Sequence, residues 1–193
     1  MFNWVADGVT ALCVATIFAV VVANFLQAEP GRSFRERRSP VATLSMAAFF
    51  VLLYVTIRLR WGMAAASGHV LWRSIGLALV VVGTAFNVWG RVHLGANWAD
   101  HVRIYADQAL VTRGPYRFVR HPLYASLVWM FYGASLAYLN PLAALETTLI
   151  FLPGMWYRSN LEEAALLERF GDAYRAYRAR TGRFLPRPGR LAP

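Results

Sequence analysis

The stretch PLYASLVWMFYGASLAYLNPLAALETTLIFLPGMWY, residues 122–157, has Glu146 as its only charged side chain. A single helix of this length would be about 54 Å long at 1.5 Å per residue, far more than one bilayer crossing requires. Asn140-Pro141 near its middle breaks a helix, because proline lacks the amide hydrogen and clashes with the preceding turn. The stretch therefore predicts a tight hairpin of two spanning helices, the second kinked at Pro153-Gly154.

Three further apolar runs precede this hairpin. Residues 8–28 and 39–57 carry no charge, and each run is close to the roughly 20 residues that cross a hydrocarbon core. The third run, residues 74–90, is bracketed by Trp72 and Trp89, as interfacial aromatic residues would be. With 58% hydrophobic and 16% charged residues, the 193-residue chain is too apolar for a soluble domain. We predict an all-α integral membrane bundle of five transmembrane helices.

The arginines predict the orientation of this bundle. All 20 basic residues are arginine, and the formal net charge is +10. Four lie in residues 29–40, five in residues 91–121 and eight from residue 158 onward, and all three segments fall on one side of the predicted membrane. By the positive-inside tendency this side is cytoplasmic, so the N-terminus is outside and the C-terminus is cytoplasmic. Anionic lipid headgroups are expected neighbours of these arginines, and no nucleic-acid partner is predicted.

The distribution of cysteine and glycine excludes several kinds of site. Cys13 is the only cysteine and lies inside the first apolar run, which excludes a disulfide framework, a paired-cysteine redox site and a cysteine-based zinc site. No Gly-x-Gly occurs, so neither the dinucleotide fingerprint nor a P-loop is present. No metal site is predicted, and a soluble nucleotide-binding enzyme is disfavoured.

The C-terminal segment predicts a second kind of helix. In residues 161–177, apolar side chains recur at helical spacing and charged side chains occupy the other positions, which is typical of an amphipathic helix. Gly171 is expected to divide this segment into two short helices. We therefore divide the chain into a three-helix membrane part, residues 1–91, and a catalytic part, residues 92–186. The catalytic part contains the cytoplasmic loop, the hairpin and the amphipathic helices. Residues 187–193 are expected to form a disordered tail.

Two polar clusters at predicted helix ends could carry chemistry. The segment GPYRFVRHPLY, residues 114–124, leads into the fourth span, and the free amides of that helix start would suit an anionic group. Its alternative interpretation is an interfacial belt of snorkelling side chains. At the end of the fifth span, Arg158 precedes Glu162 and Glu163. The alternative there is an exposed i,i+4 ion pair worth a few tenths of a kcal/mol.

These residues resemble the isoprenylcysteine carboxyl methyltransferases and their prokaryotic relatives. The resemblance covers about residues 92–186 and runs in the same order as in that family. It is carried by these motifs: LGANW (94–98), LVTRGPY (110–116), RHPLY (120–124), Asn140-Pro141, Arg158-x3-Glu162-Glu163 and FGDAYRAY (170–177).

The resemblance implies methyl transfer from S-adenosylmethionine to a lipophilic acceptor at the cytoplasmic membrane face. It implies that Glu162 receives the cofactor's ammonium group and that Arg158 is a catalytic residue on the acceptor side. The acceptor would be the carboxylate of an isoprenylcysteine-like molecule or another small membrane-soluble compound. The remaining cofactor-binding residues implied by the resemblance are Gln108, Ala109, Leu110, Val111, Tyr116, His121, Pro122, Leu123 and Tyr124. His101 has no clear match in the family pattern.

Two other functions remain open from the residues alone. One is a sterol- or isoprenoid-type membrane reductase that uses NADPH, and the other is a non-catalytic membrane scaffold or transport subunit. The Glu162-Glu163 pair and the short chain disfavour the reductase. A scaffold predicts polar residues within the spans, whereas the reactive side chains gather at one face. The arginine-only, alanine-rich composition favours a bacterial inner membrane as the location.

Overall fold

The computed structural model describes residues 2–26, 34–37, 40–59, 61, 69–95, 102–105 and 109–187. The helices are α1 (Phe2–Leu26), α2 (Pro40–Arg58), α3 (Val70–Leu94), α4 (Pro122–Ala137), α5 (Pro141–Glu146) and α6 (Leu152–Arg180). A 3₁₀ turn covers Gly114–Arg117, and a π-helical turn, Thr147–Phe151, joins α5 to α6. The two strands are β1 (Phe34–Arg37) and β2 (Val102–Tyr105).

The predicted hairpin break occurs at Asn140-Pro141. Helix α4 ends at Ala137, and Asn140 starts α5 as its N-cap, where the side-chain oxygen accepts a hydrogen bond from the Ala143 amide at 3.0 Å. Pro141 occupies the first helical turn, where its missing amide hydrogen leaves no bond unmade. Local backbone chemistry therefore places the reversal between α4 and α5.

The helix after this break departs from α geometry at two points. The π turn, Thr147–Phe151, ends two residues before Pro153, and Pro153-Gly154 themselves lie in the first turn of α6. The kink predicted at Pro153-Gly154 therefore stays a prediction. Further on, Gly171 has φ 52° and ψ −121° and interrupts α6. Because a positive φ is accessible to glycine at little cost, the chain breaks here as the sequence predicts.

Close backbone contact joins α3 to α4, across the predicted division at residues 91 and 92. A Cβ atom on Gly76 would lie 2.4 Å from the Ala137 amide nitrogen, and one on Gly133 would lie 2.7 Å from the Gly76 carbonyl oxygen. Small residues let two apolar helices approach this closely, and dispersion contacts then hold them together. The pair forms the wall on which the candidate site is built.

A second group of contacts packs α2 against the hairpin. Phe49 of α2 meets Phe131 of α4 and Phe151 of the π turn, with ring centroids 5.0 Å and 4.8 Å apart. Met155 and Val128 complete this buried cluster. The core therefore lies between helices that the sequence analysis assigned to different parts of the chain.

Apolar side chains remain exposed on the outer helices, as expected for surfaces that contact lipid. Within the described residues, two helical segments are long and apolar enough to cross a membrane, Trp4–Leu26 and Val70–Leu94, and the apolar part of α2 is the shorter Leu44–Ile57. The count of five spans and the amphipathic character of the C-terminal helices stay predictions.

The structure contains a short antiparallel ribbon that the all-α prediction does not include. Strand β1 pairs with β2 in the register Phe34↔Tyr105 to Arg37↔Val102. Four-residue strands with mixed charged and apolar residues give too short a pattern to be recognised from sequence. The ribbon connects two of the loops that the arginine distribution assigned to one side.

Of the predicted disordered tail, only Arg187 lies within the described residues, and its guanidinium donates to the Ala179 carbonyl at 2.7 Å.

The α3–α4 contact predicts opposite effects for two glycine-to-alanine substitutions. Gly133→Ala should lower the melting temperature in detergent by several degrees, because overpacking costs about 1–3 kcal/mol. Gly8→Ala should raise it slightly, since a Cβ there meets nothing within 4 Å and alanine has the higher helix propensity. Equal shifts for the two variants would contradict close packing at Gly133.

Candidate active site

A cleft of about 350 Å³ lies where the ends of several helices meet. Its volume is within the range of small-molecule sites in proteins. The walls are mainly apolar and aromatic, and the polar atoms come from two arginines, a histidine, two tyrosines and one glutamate. The lining residues are Val21, Phe25, Met46, Arg91, Leu94, Tyr116, His121, Pro122, Leu123, Tyr124, Leu127, Arg158 and Glu162.

Most of the predicted site residues meet in this cleft. The 3₁₀ turn contributes Tyr116, the start of α4 contributes His121 to Tyr124, and α6 contributes Arg158 and Glu162. Ala109, Leu110 and Val111 are not among the lining residues. Gln108 and His101 lie outside the described residues.

Glu162 is the carboxylate that faces the cleft, and its side chain is 26% exposed. The Tyr124 hydroxyl donates a hydrogen bond to it, and the Arg158 Nε lies 3.7 Å from its Oε1. Arg158 Nε also donates to the Tyr124 hydroxyl oxygen at 2.8 Å. The i,i+4 ion pair considered from sequence is therefore present, but as part of a three-residue network inside the cleft.

Glu163, the next residue, is 5% exposed and points away from the cleft into a cluster of cations. Arg120 Nε donates to its Oε1 at 3.1 Å, while Arg178 Nε and Arg183 Nη2 lie 3.4 Å and 3.2 Å from its Oε2. His121 Nε2 lies 3.2 Å from Oε1. Two adjacent carboxylates thus have different surroundings, one packed among cations and one open to the cleft.

His121 bridges the two carboxylates. Its Nδ1 lies 3.3 Å from Glu162 Oε2, and its Nε2 faces Glu163. Burial alone would lower the pKa of His121, but hydrogen bonds from the ring to Glu162 and Glu163 outweigh burial and raise that pKa. Because both ring nitrogens face acceptors, the charged imidazolium is the form that this position stabilises.

The carboxylates respond in the opposite direction. Burial would raise the pKa of Glu163, but the hydrogen bond from His121 and the charges of Arg120 and Arg183 lower it to about 2. The pKa of Glu162 is lowered as well, since His121, Tyr124 and Arg158 together outweigh its burial. Both carboxylates are therefore ionised near neutral pH.

The segment before α4 is held by hydrogen bonds to the residues that follow α6. The amide of Arg120 donates to the Gly182 carbonyl at 2.8 Å, and the amide of His121 donates to the Arg183 carbonyl at 3.1 Å. The Arg183 guanidinium lies over the Trp156 ring, 4.3 Å from its centroid. The two polar segments that the sequence analysis placed on one face are thus in direct contact.

Sequence reasoning missed Arg91, which lines the cleft from the last turn of α3. It is buried, and its Nε donates to Asn87 Oδ1 at 2.8 Å, while Asn87 Nδ2 donates to Ser126 Oγ at 2.7 Å. The presence of Asn87 one helical turn earlier was the available signal, since a buried amide inside a span needs partners. The cleft thus contains a second guanidinium, held by a polar chain between α3 and α4.

The apolar wall from α1 and α2 was missed as well. Val21 and Phe25 of α1 and Met46 of α2 line the cleft. No motif marks these residues, because an apolar side chain in a span looks the same whether it faces lipid, protein or a ligand. Their position joins the polar cleft to helices with exposed apolar faces.

Fold and cleft together describe a helical membrane protein with a charged cleft at its helix ends. The chain belongs to the phospholipid methyltransferase family, whose model matches residues 71–173.

Individual relatives agree with the resemblance found in the motifs. A probable protein-S-isoprenylcysteine O-methyltransferase of Oryza sativa subsp. indica is 32% identical over 114 residues, which are 58% of this chain and 60% of the rice protein. Methanethiol S-methyltransferase 1 of Bradyrhizobium diazoefficiens is 34% identical over 71 residues, 37% of this chain and 24% of that protein. The predicted similarity to isoprenylcysteine carboxyl methyltransferases is therefore confirmed.

A solved structure supports the fold. The eukaryotic intramembrane Ras methyltransferase, an isoprenylcysteine carboxyl methyltransferase, matches with a TM-score of 0.56 at 24% identity. The match covers 81% of this chain and 55% of that one. The chain therefore spans 60% or less of the length of these relatives, and the likeness to the solved structure concerns the fold alone.

The position of His121 predicts a pH-dependent contribution to stability. Because the fold raises the pKa of His121, this contribution is complete below the ordinary histidine pKa of about 6.5 and is lost as the pH rises through the raised value. His121→Gln should lower the free energy of unfolding by about 1–3 kcal/mol near pH 6, and by less near pH 9. Thermal unfolding in detergent across this range measures the difference.

His69→Gln is the matched control, since His69 is an exposed histidine at the start of α3 whose side chain makes no capping hydrogen bond. Its effect should be small at every pH. A destabilisation by His121→Gln that does not change with pH would show that the two carboxylates do not hold the imidazolium form.

Proposed function

We propose that the protein transfers a methyl group from S-adenosylmethionine to a lipophilic acceptor. The observation that carries the proposal is the convergence of Glu162, Tyr124 and Arg158 on one cleft, in a chain whose relatives are named methyltransferases. The acceptor class that fits best is a carboxylate-bearing, membrane-soluble molecule. Isoprenylcysteine-like compounds are one example, as the names of several relatives suggest.

The cleft residues fit the cofactor in charge and in the apolar and aromatic character of their surface. Glu162 is ionised and open to the cleft, so it would receive the ammonium group of the methionine moiety. Tyr116, Leu123 and Tyr124 offer aromatic and apolar surface for the adenosine. Bound S-adenosylmethionine supplies a methyl group already activated on a sulfonium, so the protein need only bind, orient and exclude water.

The state of the titratable groups favours an acceptor that is already ionised. Both ring nitrogens of His121 face carboxylates, and the Tyr124 hydroxyl donates to Glu162, so neither side chain is placed to remove a proton from an acceptor. A carboxylate attacks without a general base, whereas an amine must first lose a proton. A thiolate acceptor is compatible with the same cleft, and one relative is named a methanethiol S-methyltransferase.

Two guanidiniums would hold the acceptor and orient it. Arg158 at the end of the fifth predicted span could contact a carboxylate at two points, and Arg91 in the last turn of α3 adds a second positive charge to the cleft. The apolar side chains Val21, Phe25 and Met46 would accommodate part of a hydrophobic tail. An acceptor could then enter sideways from the bilayer with its tail still in lipid.

We further propose that the cleft opens on the cytoplasmic side of a bacterial inner membrane, with the N-terminus outside. The arginine distribution supports this orientation, since the loops with most arginines are those that build the cleft. The predicted division into a membrane part and a catalytic part is retained in modified form, because α1, α2 and α3 all contribute to the cleft wall.

Cofactor binding should depend on Glu162. In calorimetry on the detergent-solubilised chain, S-adenosylmethionine should bind and NADPH should not. Glu162→Gln should weaken the binding of S-adenosylmethionine about 30-fold or more, because the cofactor's ammonium group loses its carboxylate partner. Glu168→Gln, an exposed substitution on the same helix, should leave the affinity unchanged. NADPH binding in place of S-adenosylmethionine would favour the reductase, and equal affinity for Glu162→Gln and the parent would remove Glu162 from the cofactor site.

Turnover should depend on Arg158 more than cofactor binding does. Arg158→Ala should lower the rate of methyl transfer by on the order of a hundredfold, because a positioning and electrostatic group is lost, with little change in cofactor affinity. Arg158→Lys should recover little, since an ammonium lacks the planar two-point contact. Mass spectrometry of membrane extracts with isotopically labelled S-adenosylmethionine identifies the acceptor and then measures the rate.

Arg175→Ala is the control for Arg158, since Arg175 is exposed and pairs with the exposed Asp172. Loss of cofactor binding in Arg158→Ala with recovery in Arg158→Lys would place Arg158 in the cofactor pocket. Unchanged turnover in Arg158→Ala would reduce the residue to a structural ion pair.

A further inference from the structure

A second cleft, of about 310 Å³, lies beside the first and contains a concentration of positive charge. Three exposed arginines from two parts of the chain, Arg113, Arg117 and Arg180, face it. Its complete lining is Thr112, Arg113, Gly114, Arg117, Tyr177, Arg180 and Thr181. None of the motif-based assignments gives these residues a role.

These arginines differ from those around Glu163 in their partners. Arg120, Arg178 and Arg183 each contact the Glu163 carboxylate. Across the part of the chain that the structure describes, no carboxylate pairs with the three arginines of the second cleft. Arg117 lies over the Phe118 ring at 4.6 Å, and Arg180 Nε donates to the Ala176 carbonyl at 3.3 Å. The cleft therefore concentrates three positive charges that no acidic side chain there neutralises.

The walls of this cleft are fixed by a close backbone approach on one side and by two buried residues on the other. Gly114 has φ 60°, and a Cβ there would lie 2.4 Å from the His93 ring, so the turn that carries Arg113 and Arg117 is pressed against α3. On the other side, Tyr177 and Thr181 are buried, and Thr181 Oγ1 donates to the Tyr177 carbonyl at 2.8 Å. The arginines are thus presented from a defined backbone.

We propose that this second cleft binds a phosphate group. Planar guanidinium groups match the oxygens of phosphate at two points each, and three of them on one concave surface favour a multiply contacted anion. The phosphate could belong to an anionic lipid headgroup at the membrane surface or to a soluble phosphate compound. The proposal does not depend on methyl transfer, because it concerns binding at residues that do not line the first cleft.

The two clefts share a wall. The Tyr177 hydroxyl donates to the Tyr116 carbonyl at 2.7 Å, and the Tyr116 side chain lines the first cleft. A phosphate held by Arg113, Arg117 and Arg180 would join the 3₁₀ turn to the C-terminal end of α6. It would therefore steady the position of Tyr116.

Native mass spectrometry of the detergent-solubilised chain tests the lipid source. The protein is mixed with equal amounts of phosphatidylglycerol and phosphatidylcholine that have the same acyl chains. The parent should retain phosphatidylglycerol preferentially, and Arg113→Gln/Arg180→Gln should reduce this preference by about tenfold or more, as expected for loss of charge-assisted hydrogen bonds. Calorimetry with inorganic pyrophosphate on the same proteins tests the soluble source.

The matched control is Arg175→Gln/Arg187→Gln, which removes the same charge from exposed positions outside both clefts. If only the cleft variant loses the preference for phosphatidylglycerol, the site binds a lipid headgroup. If only the cleft variant loses binding of pyrophosphate, the site binds a soluble phosphate. Equal behaviour of the two variants in both experiments would overturn the proposal. A single Arg180→Gln variant replaces the double one if the latter does not purify as a folded protein.

Discussion

The Glu163 carboxylate is the group on which the arrangement of the site depends. A buried carboxylate is costly to desolvate, and the cost is offset only if charged partners surround it closely. Arg120 and His121 provide these partners from the segment before α4, Arg178 from the end of α6 and Arg183 from the segment beyond it. Because these four partners come from three places along the chain, one carboxylate brings three segments to the same point.

The adjacent Glu162 faces the cleft as a result of helix geometry. Neighbouring residues on an α-helix point about 100° apart, so Glu162 faces the cleft when Glu163 faces the cation cluster. His121 lies between them and contacts both. Packing at Glu163 therefore sets the orientation of α6, and with it the direction in which Glu162 and Arg158 are presented. Two consecutive carboxylates thus have different surroundings, one inside a cluster of cations and one at the cleft proposed to bind the cofactor.

Local chemistry in the sequence was sufficient to predict the breaks in the fold. Asn140-Pro141 and Gly171 act through their own backbone preferences, so their effects need no knowledge of the neighbours. The meeting of Arg120 with Glu163, by contrast, joins residues that are 43 positions apart, and no periodicity encodes it. Arg91 was counted from sequence only as a charge that marks orientation, because its role depends on which face of α3 is turned toward α4.

The predicted cofactor residues show the same distinction. The resemblance implied all of them, but Tyr124 and Glu162 also lie in the two polar clusters at predicted helix ends, and they line the cleft together. Ala109 to Val111 lie outside both clusters, and they do not line the cleft. Val21, Phe25 and Met46 could not be identified from sequence, since apolar residues in spans carry no mark of the surface they face.

The π-helical turn Thr147–Phe151 has a consequence for the direction in which the site residues point. A π turn contains one residue more than the α-helical turn it replaces, so every side chain after it is rotated by about 100° relative to an uninterrupted helix. Arg158 and Glu162 both lie downstream of this turn. Without the extra residue of this turn, Arg158 and Glu162 would point about 100° away from their present direction, although the sequence after the turn would be the same. The π turn therefore determines which side chains of α6 face the cleft, and a change in its length would alter the chemistry of the cleft as much as a substitution would.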